Sequence, residues 1–365
     1  MATNRLLPFK DYGGCSIVGV MDQSGRLFGG DAVIRAIANM HERSNGLGGG
    51  FAAYGIYPAR ADQYAVHLMF DTPAAQTETE ALLDERCVVH HAEEIPTRHH
   101  PNVTGEPLVH RYFINIEPDA DRPFMDEDDL VVELHMHINA AVQDAFVFSA
   151  GKNMGCFKGV GYPEDLGEYF RLDEYEAYTW IAHGRFPTNT TGWWGGAHPF
   201  SILDWAIVHN GEISSYGINK RYLRNFGYEC TLQTDTEVIA YLFDLLIRKH
   251  DLPLEVACQA MAPPFWEDIE RMGEDEAAQA RAIRAVYGGA LLNGPFAVVV
   301  GSTGRMIGFS DRTKLRPQVC ARGGERLYIA SEEAAIRTIC RDPDTVWHPE
   351  AGEPTVAELN AGVKV

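Results

Sequence analysis

Apolar residues in this chain come in short, strand-length runs and never in long ones. The runs at 16–20, 51–57, 178–182, 205–208, 296–301, 306–309 and 327–330 are each four to seven residues long, the length of buried strands. None approaches the roughly 18 residues a membrane span needs. Between them lie stretches with helical spacing, at 31–41, 236–249, 274–286 and 332–340. The stretch at 236–249 is opened by Thr234 or Asp235 as an N-cap, with Glu237 in its first turn. Clusters of strands flanked by pairs of helices predict an α+β fold of stacked antiparallel sheets covered by helices.

The texture changes over about residues 61–155. The alternating stretches at 110–116 and 130–138 read as strands, joined by an acidic, proline-containing loop at 117–129. This segment reads as a small α+β subdomain inserted into the larger fold. It holds eight of the fourteen histidines. His135 and His137 would share one face of the second strand, a ligand-like geometry. The acidic residues nearby lack ligand spacing, so no metal site is expected.

Charge and cysteine usage narrow the function classes. A formal charge of −20 repels phosphate backbones and anionic membrane surfaces, which argues against nucleic-acid or membrane partners. The seven cysteines are odd in number and include no CxxC pair. They therefore favour a reducing, cytoplasmic compartment over a disulfide framework or a zinc ribbon. Residues 1–14 have no apolar core of the kind a secretory signal carries. No P-loop or dinucleotide-binding glycine pattern is present.

Three separated segments carry the chemistry. The first is Gly14-Cys15-Ser16-Ile17-Val18-Gly19-Val20. The second is His183-Gly184-Arg185-Phe186-Pro187-Thr188-Asn189-Thr190, continuing through Trp193, Trp194 and Ala197-His198-Pro199-Phe200. The third is His209-Asn210-Gly211-Glu212-Ile213, followed by Thr234-Asp235-Thr236-Glu237. Each residue alone has a plain structural role open to it. Cys15 could be a buried thiol at the head of a strand, and Asn210-Gly211 a hairpin turn. Arg185 could serve an ordinary ion pair, and Asp235 a helix cap.

In this order and spacing the three segments resemble the class II glutamine amidotransferases, a branch of the N-terminal nucleophile hydrolases. The Arg-Phe-x-Thr-Asn-Thr form of the second segment is most similar to glutamate synthases. The run from Trp193 through Tyr216 to Asp235, together with the insert, looks like the separately encoded amidotransferase subunit of archaeal-type glutamate synthase. The resemblance implies a four-layer αββα sandwich of two antiparallel sheets. It also implies a domain over 15–365 preceded by a leader at 1–14 that must be removed at Gly14–Cys15. Cys15 would then be the nucleophile, with Asn210 and Gly211 as the oxyanion hole. Arg185 would take the glutamine α-carboxylate and Asp235 the α-ammonium, while Thr188 and His198 bind substrate or shape the pocket. The glycines and tryptophans at 192–196 would form either a mobile flap or a packed aromatic lid.

Elementary chemistry agrees with those assignments. Amide hydrolysis needs a nucleophile, a base and donors aimed at the developing oxyanion. A cysteine at a chain terminus supplies the first two, because its α-amine and thiol have reference pKa values of about 8 and 8.5. No flavin, nicotinamide or iron–sulfur pattern occurs on this chain. The resemblance implies a partner subunit that carries FMN and an iron–sulfur cluster and reduces 2-oxoglutarate plus ammonia to glutamate. The acceptor is not chosen on this chain, so an amidotransferase for another acceptor, such as N-methylglutamate synthesis, fits the same residues. A retained leader would instead leave a non-catalytic glutamine-sensing or scaffolding subunit.

Overall fold

A computed structural model of the protein describes residues 14–118, 121–186 and 192–363. Two antiparallel sheets face each other. The larger has seven strands in the order Thr345–Trp347, Val319–Gly323, Arg326–Ala330, Ser16–Asp22, Thr179–Gly184, Gly49–Tyr54 and Met154–Gly159. The smaller runs Phe200–Ile202, Trp205–Gly211, Phe296–Ser302, Arg305–Ser310 and Thr355–Glu358. The central strands of both are buried on both faces, which is why they read as unbroken apolar runs rather than as alternating patterns. At Gly19 the sheets approach so closely that a Cβ would stand 2.6 Å from Val299 Cγ1 and 2.8 Å from Met306 Sδ.

Helices close both outer faces. Asp31–Ala38, Pro163–Tyr169 and Glu333–Arg337 pack on the seven-stranded sheet. Asp235–Phe243 packs on the five-stranded sheet and continues as a π-helical stretch, Asp244–Lys249. Tyr216–Arg224, Leu254–Met261 and Glu274–Val286 extend that outer layer. The result is the four-layer αββα sandwich. One apolar cluster lies between the sheets and under the first helix layer, and a second lies under the other helix layer.

A separate four-stranded sheet, in the order Cys87–Glu94, Leu108–Ile116, Tyr64–Phe70 and Ala145–Lys152, has its own core with the helices Pro73–Arg86 and Glu127–Ala141. One sequence expectation fails here. Residues 130–138 are helical, not a strand, within Glu127–Ala141. The Asp126 carboxylate caps the helix by accepting from the Asp129 N–H at 2.8 Å, and Glu127, Asp128 and Asp129 sit in the first turn, favourably for the helix dipole. Burial of Leu130, Val131, Leu134 and Ile138 follows a helical period that outweighs the local alternation. His135 and His137 therefore share no strand face. Among the described residues, no group of three or more His, Cys, Asp or Glu side chains could hold a metal ion, and no helix is long and apolar enough to cross a membrane.

Candidate active site

Strand register brings the first two sequence segments together. Ser16 pairs with Gly184 across the antiparallel ladder, so Arg185 and Phe186 emerge beside Cys15, which immediately precedes its strand. The Phe186 N–H donates to Cys15 Sγ at 3.4 Å. Arg43 holds the other side: its Nε and Nη2 both donate to the Cys15 carbonyl at 3.2 Å, and its Nη1 pairs with Glu332 at 3.0 Å. The backbone of Cys15 is thereby held by Arg43, 28 residues further along the same chain.

The facing sheet supplies the third segment. Asn210 and Gly211 end the strand Trp205–Gly211 and are not a hairpin turn. A Cβ on Gly211 would lie 2.1 Å from the Pro295 carbonyl, so only glycine fits after Asn210. Asn210 is 1% exposed, and its Nδ2 has no hydrogen-bond partner among the described residues. A buried amide donor left open on a cavity wall is uncommon, and its natural complement is an oxygen that arrives with a ligand.

Thr234, not Asp235, caps the helix that follows, accepting from the Thr236 N–H at 3.4 Å. Asp235 is freed for the cavity. Its Oδ2 accepts from the Ile213 N–H at 2.7 Å, and its Oδ1 lies 3.7 Å from His209 Nδ1. The Thr236 hydroxyl joins two histidines, His198 Nε2 at 2.8 Å and His209 Nδ1 at 3.0 Å. His198 stacks on His183 with ring centroids 3.8 Å apart, and His183 Nε2 donates to the His209 carbonyl at 2.9 Å.

These elements enclose a cavity of about 320 Å³ lined by Cys15, Arg185, His198, Asn210, Gly211 and Asp235, among others. Six of the seven sequence-selected residues therefore share one cavity. Thr188 lies outside the described residues. Burial sets much of the electrostatics. It pushes the Cys15 thiol above its ordinary value, opposed by the Phe186 N–H and the positive charges of Arg185 and Arg316, and reinforced by Asp235. His183, drawn down to about 3 by burial, and His198, drawn well below the usual imidazole range for the same reason, are neutral at pH 7. The cavity thus presents a protonated thiol, the neutral imidazole of His198, the guanidiniums of Arg185 and Arg316, and the acids Asp235 and Glu212.

The sequence reading missed several contributors. His183, His209 and Thr236 stood inside the quoted motifs without a role. Arg43 and Arg316 stood in none. Arg316 follows the strand Arg305–Ser310 and lines the cavity from the far side, and its buried Nε has no hydrogen-bond partner among the described residues. No local pattern marks either arginine. The tryptophans at 193 and 194 belong to packed structure: Trp194 is buried, with its Nε1 donating to the Thr104 carbonyl at 3.3 Å, and Trp193 meets Phe146 edge-on at 5.1 Å.

Comparison with known proteins adds an independent line. An uncharacterised protein of Archaeoglobus fulgidus is 51% identical over 362 residues, covering 98% of this chain and 96% of its own. The glutamine–fructose-6-phosphate aminotransferase (isomerizing) of Vibrio vulnificus is 26% identical over 223 residues, 59% of this chain and 33% of that enzyme. A solved glutamine phosphoribosylpyrophosphate amidotransferase from B. subtilis, complexed with ADP and GMP, aligns over 94% of this chain and 47% of its own at 15% identity, with a TM-score of 0.45. The family model for class II glutamine amidotransferases matches residues 53–346. With that match extending over most of the chain, the chain belongs to the class II glutamine amidotransferases, enzymes that hydrolyse glutamine and pass on its ammonia.

Proposed function

We propose that this chain is the glutaminase component of a glutamate synthase. In this reading it acts through Cys15 as an N-terminal nucleophile and supplies ammonia to a separate subunit carrying FMN and an iron–sulfur centre. The observation that carries the catalytic half is the single cavity into which Cys15, Arg185, Asn210, Gly211 and Asp235 converge. Cleavage at Gly14–Cys15 frees the α-amine, which takes the thiol proton, a step that burial of the thiol makes necessary at neutral pH. The thiolate attacks the glutamine Cδ. The oxyanion is held by Asn210 Nδ2 and the Gly211 N–H. Collapse breaks the C–N bond, and the amine proton goes to the departing nitrogen, releasing ammonia. Water then attacks the γ-glutamyl thioester, giving glutamate and the free thiol. Arg185 forks onto the substrate α-carboxylate, a planar bidentate task, while Asp235 takes the α-ammonium and His198 and Thr188 shape the pocket. The choice of glutamate synthase as destination rests on the Arg-Phe-x-Thr-Asn-Thr form of the second motif.

Intact mass and peptide mapping after treatment with 6-diazo-5-oxo-norleucine test the catalytic half. The expected product begins at Cys15 and carries one adduct there. An actively glutamine-hydrolysing chain that retains residues 1–14, or an adduct elsewhere, refutes the terminal-nucleophile assignment. Co-purification with an FMN and iron–sulfur subunit, and glutamine-dependent reduction of 2-oxoglutarate by the pair, test the destination.

A further inference from the structure

Lys158 lies in the edge strand Met154–Gly159, opposite Gly50, and is 1% exposed. Its ammonium donates to the Gly195 carbonyl at 3.1 Å and lies 4.4 Å from the ring centroid of Phe200 and 5.2 Å from that of Phe148. Among the described residues it has no ion pair. The nearby buried carboxylate, Glu237, accepts instead from the Thr231 and Leu232 N–H groups and the Tyr241 hydroxyl. An ammonium removed from water with one hydrogen bond and two aromatic faces opposes folding, and an apolar side chain of similar shape would fill the space more favourably. Burial draws its pKa down to about 8, so it still carries a proton at neutrality.

The carbonyl that Lys158 holds belongs to a segment with a defined task. On the outer side Trp193 and Trp194 fasten it to Phe146 and Thr104. Three residues after Gly195 comes His198, which lines the glutamine cavity, stacks on His183 and reaches Thr236. We infer that Lys158 is a positioning residue: its ammonium fixes the Gly195 carbonyl from beneath, and with it the backbone that carries His198 into the glutamine cavity. The inference rests on the glutaminase reading, and the side chain touches neither substrate nor Cys15. It accounts for a buried charge that the fold alone does not need.

The test compares Lys158→Met and Lys158→Gln with the wild-type enzyme in glutamine hydrolysis, thermal melting and two labelling reactions at Cys15. Iodoacetamide needs only a reactive thiol, whereas 6-diazo-5-oxo-norleucine also needs an intact glutamine pocket. Loss of a charge-assisted hydrogen bond predicts a fall in kcat/KM of about tenfold or more for Lys158→Met, mostly through KM, with Tm at or above wild type. Labelling by the glutamine analogue should fall in parallel while iodoacetamide alkylation holds. Lys158→Gln keeps an N–H for Gly195 and should recover part of the activity. A Lys158→Met enzyme within about threefold of wild type in kcat/KM overturns the inference. So do losses in both variants that follow a lowered Tm, or equal loss of both labels. Wild-type enzyme that fails to hydrolyse glutamine removes the glutaminase reading and this inference together, whereas an active wild type with an unaffected Lys158→Met removes the inference alone.

Discussion

Truncating Asn210 to alanine should separate catalysis from stability. The Asn210 side chain is almost completely enclosed, and its Nδ2 has no hydrogen-bond partner among the described residues. In the proposed role, that desolvation is compensated when an oxyanion forms. An unsatisfied buried donor costs about 1–3 kcal/mol, so its removal offsets the packing lost with the amide, and net stability should change by less than about 1 kcal/mol. The strand itself is untouched, because the backbone ladder to Ala297 does not involve the side chain. In the transition state the balance reverses. Loss of one oxyanion donor costs about 2.7–4 kcal/mol, or about 100- to 1,000-fold in kcat. KM should move by only a few fold, since the donor acts after the ground state. The assay is initial-rate glutamate formation across glutamine concentrations, with a thermal melt on the same preparation. A kcat within about tenfold of wild type would refute the oxyanion role. A large fall in kcat accompanied by a comparable loss of stability would mean that the amide supports the fold instead.

Further outcomes follow from the same geometry. Arg185→Lys should raise KM for glutamine by about tenfold or more while leaving the melting temperature near wild type, because lysine cannot fork onto a carboxylate; unchanged glutamine affinity would reassign Arg185. The stability of the fold should fall on acidification below pH 6.5. Burial draws His67, His135 and His183 to about 3, so between that value and 6.5 the unfolded chain binds protons that the folded one excludes. Each of the three then opposes folding by about 2 kcal/mol at pH 5 relative to pH 7, as an upper estimate. Urea midpoints at the two pH values check this, and a midpoint that does not move refutes the buried-neutral assignment.

The strands at the centre of the sandwich were legible in the sequence because burial on both faces demands continuous apolar runs, as at 16–20 and 296–301. The edge strand Cys87–Glu94 was not, because half of its side chains are exposed and half of its residues are His or Glu. The helix Glu127–Ala141 was misread because valines and alternating histidines imitate a two-residue period. The Asp126 cap, the acidic first turn and packing against the strands Leu108–Ile116 and Ala145–Lys152 select the helical one.

The site divides along a similar line. Cys15, Arg185, His198, Asn210, Gly211 and Asp235, which line one cavity, could be picked out from sequence because the chemistry proposed for them needs particular residue types in a fixed order along the chain. That Thr234 caps the helix and frees Asp235 could not be read, since either residue is a good cap by type. Arg43, Arg316 and Lys158 could not be named at all. Each is an ordinary cation in a short helical turn, a loop or a strand, and its meaning comes only from what folding sets beside it: the Cys15 carbonyl, the cavity and the Gly195 carbonyl. Residue type and order determine which chemistry this chain can perform. Which charges are desolvated, and what they hold in place, is decided by contacts between segments far apart in sequence, because desolvation and hydrogen-bond geometry are properties of the packed interior and not of any stretch of chain.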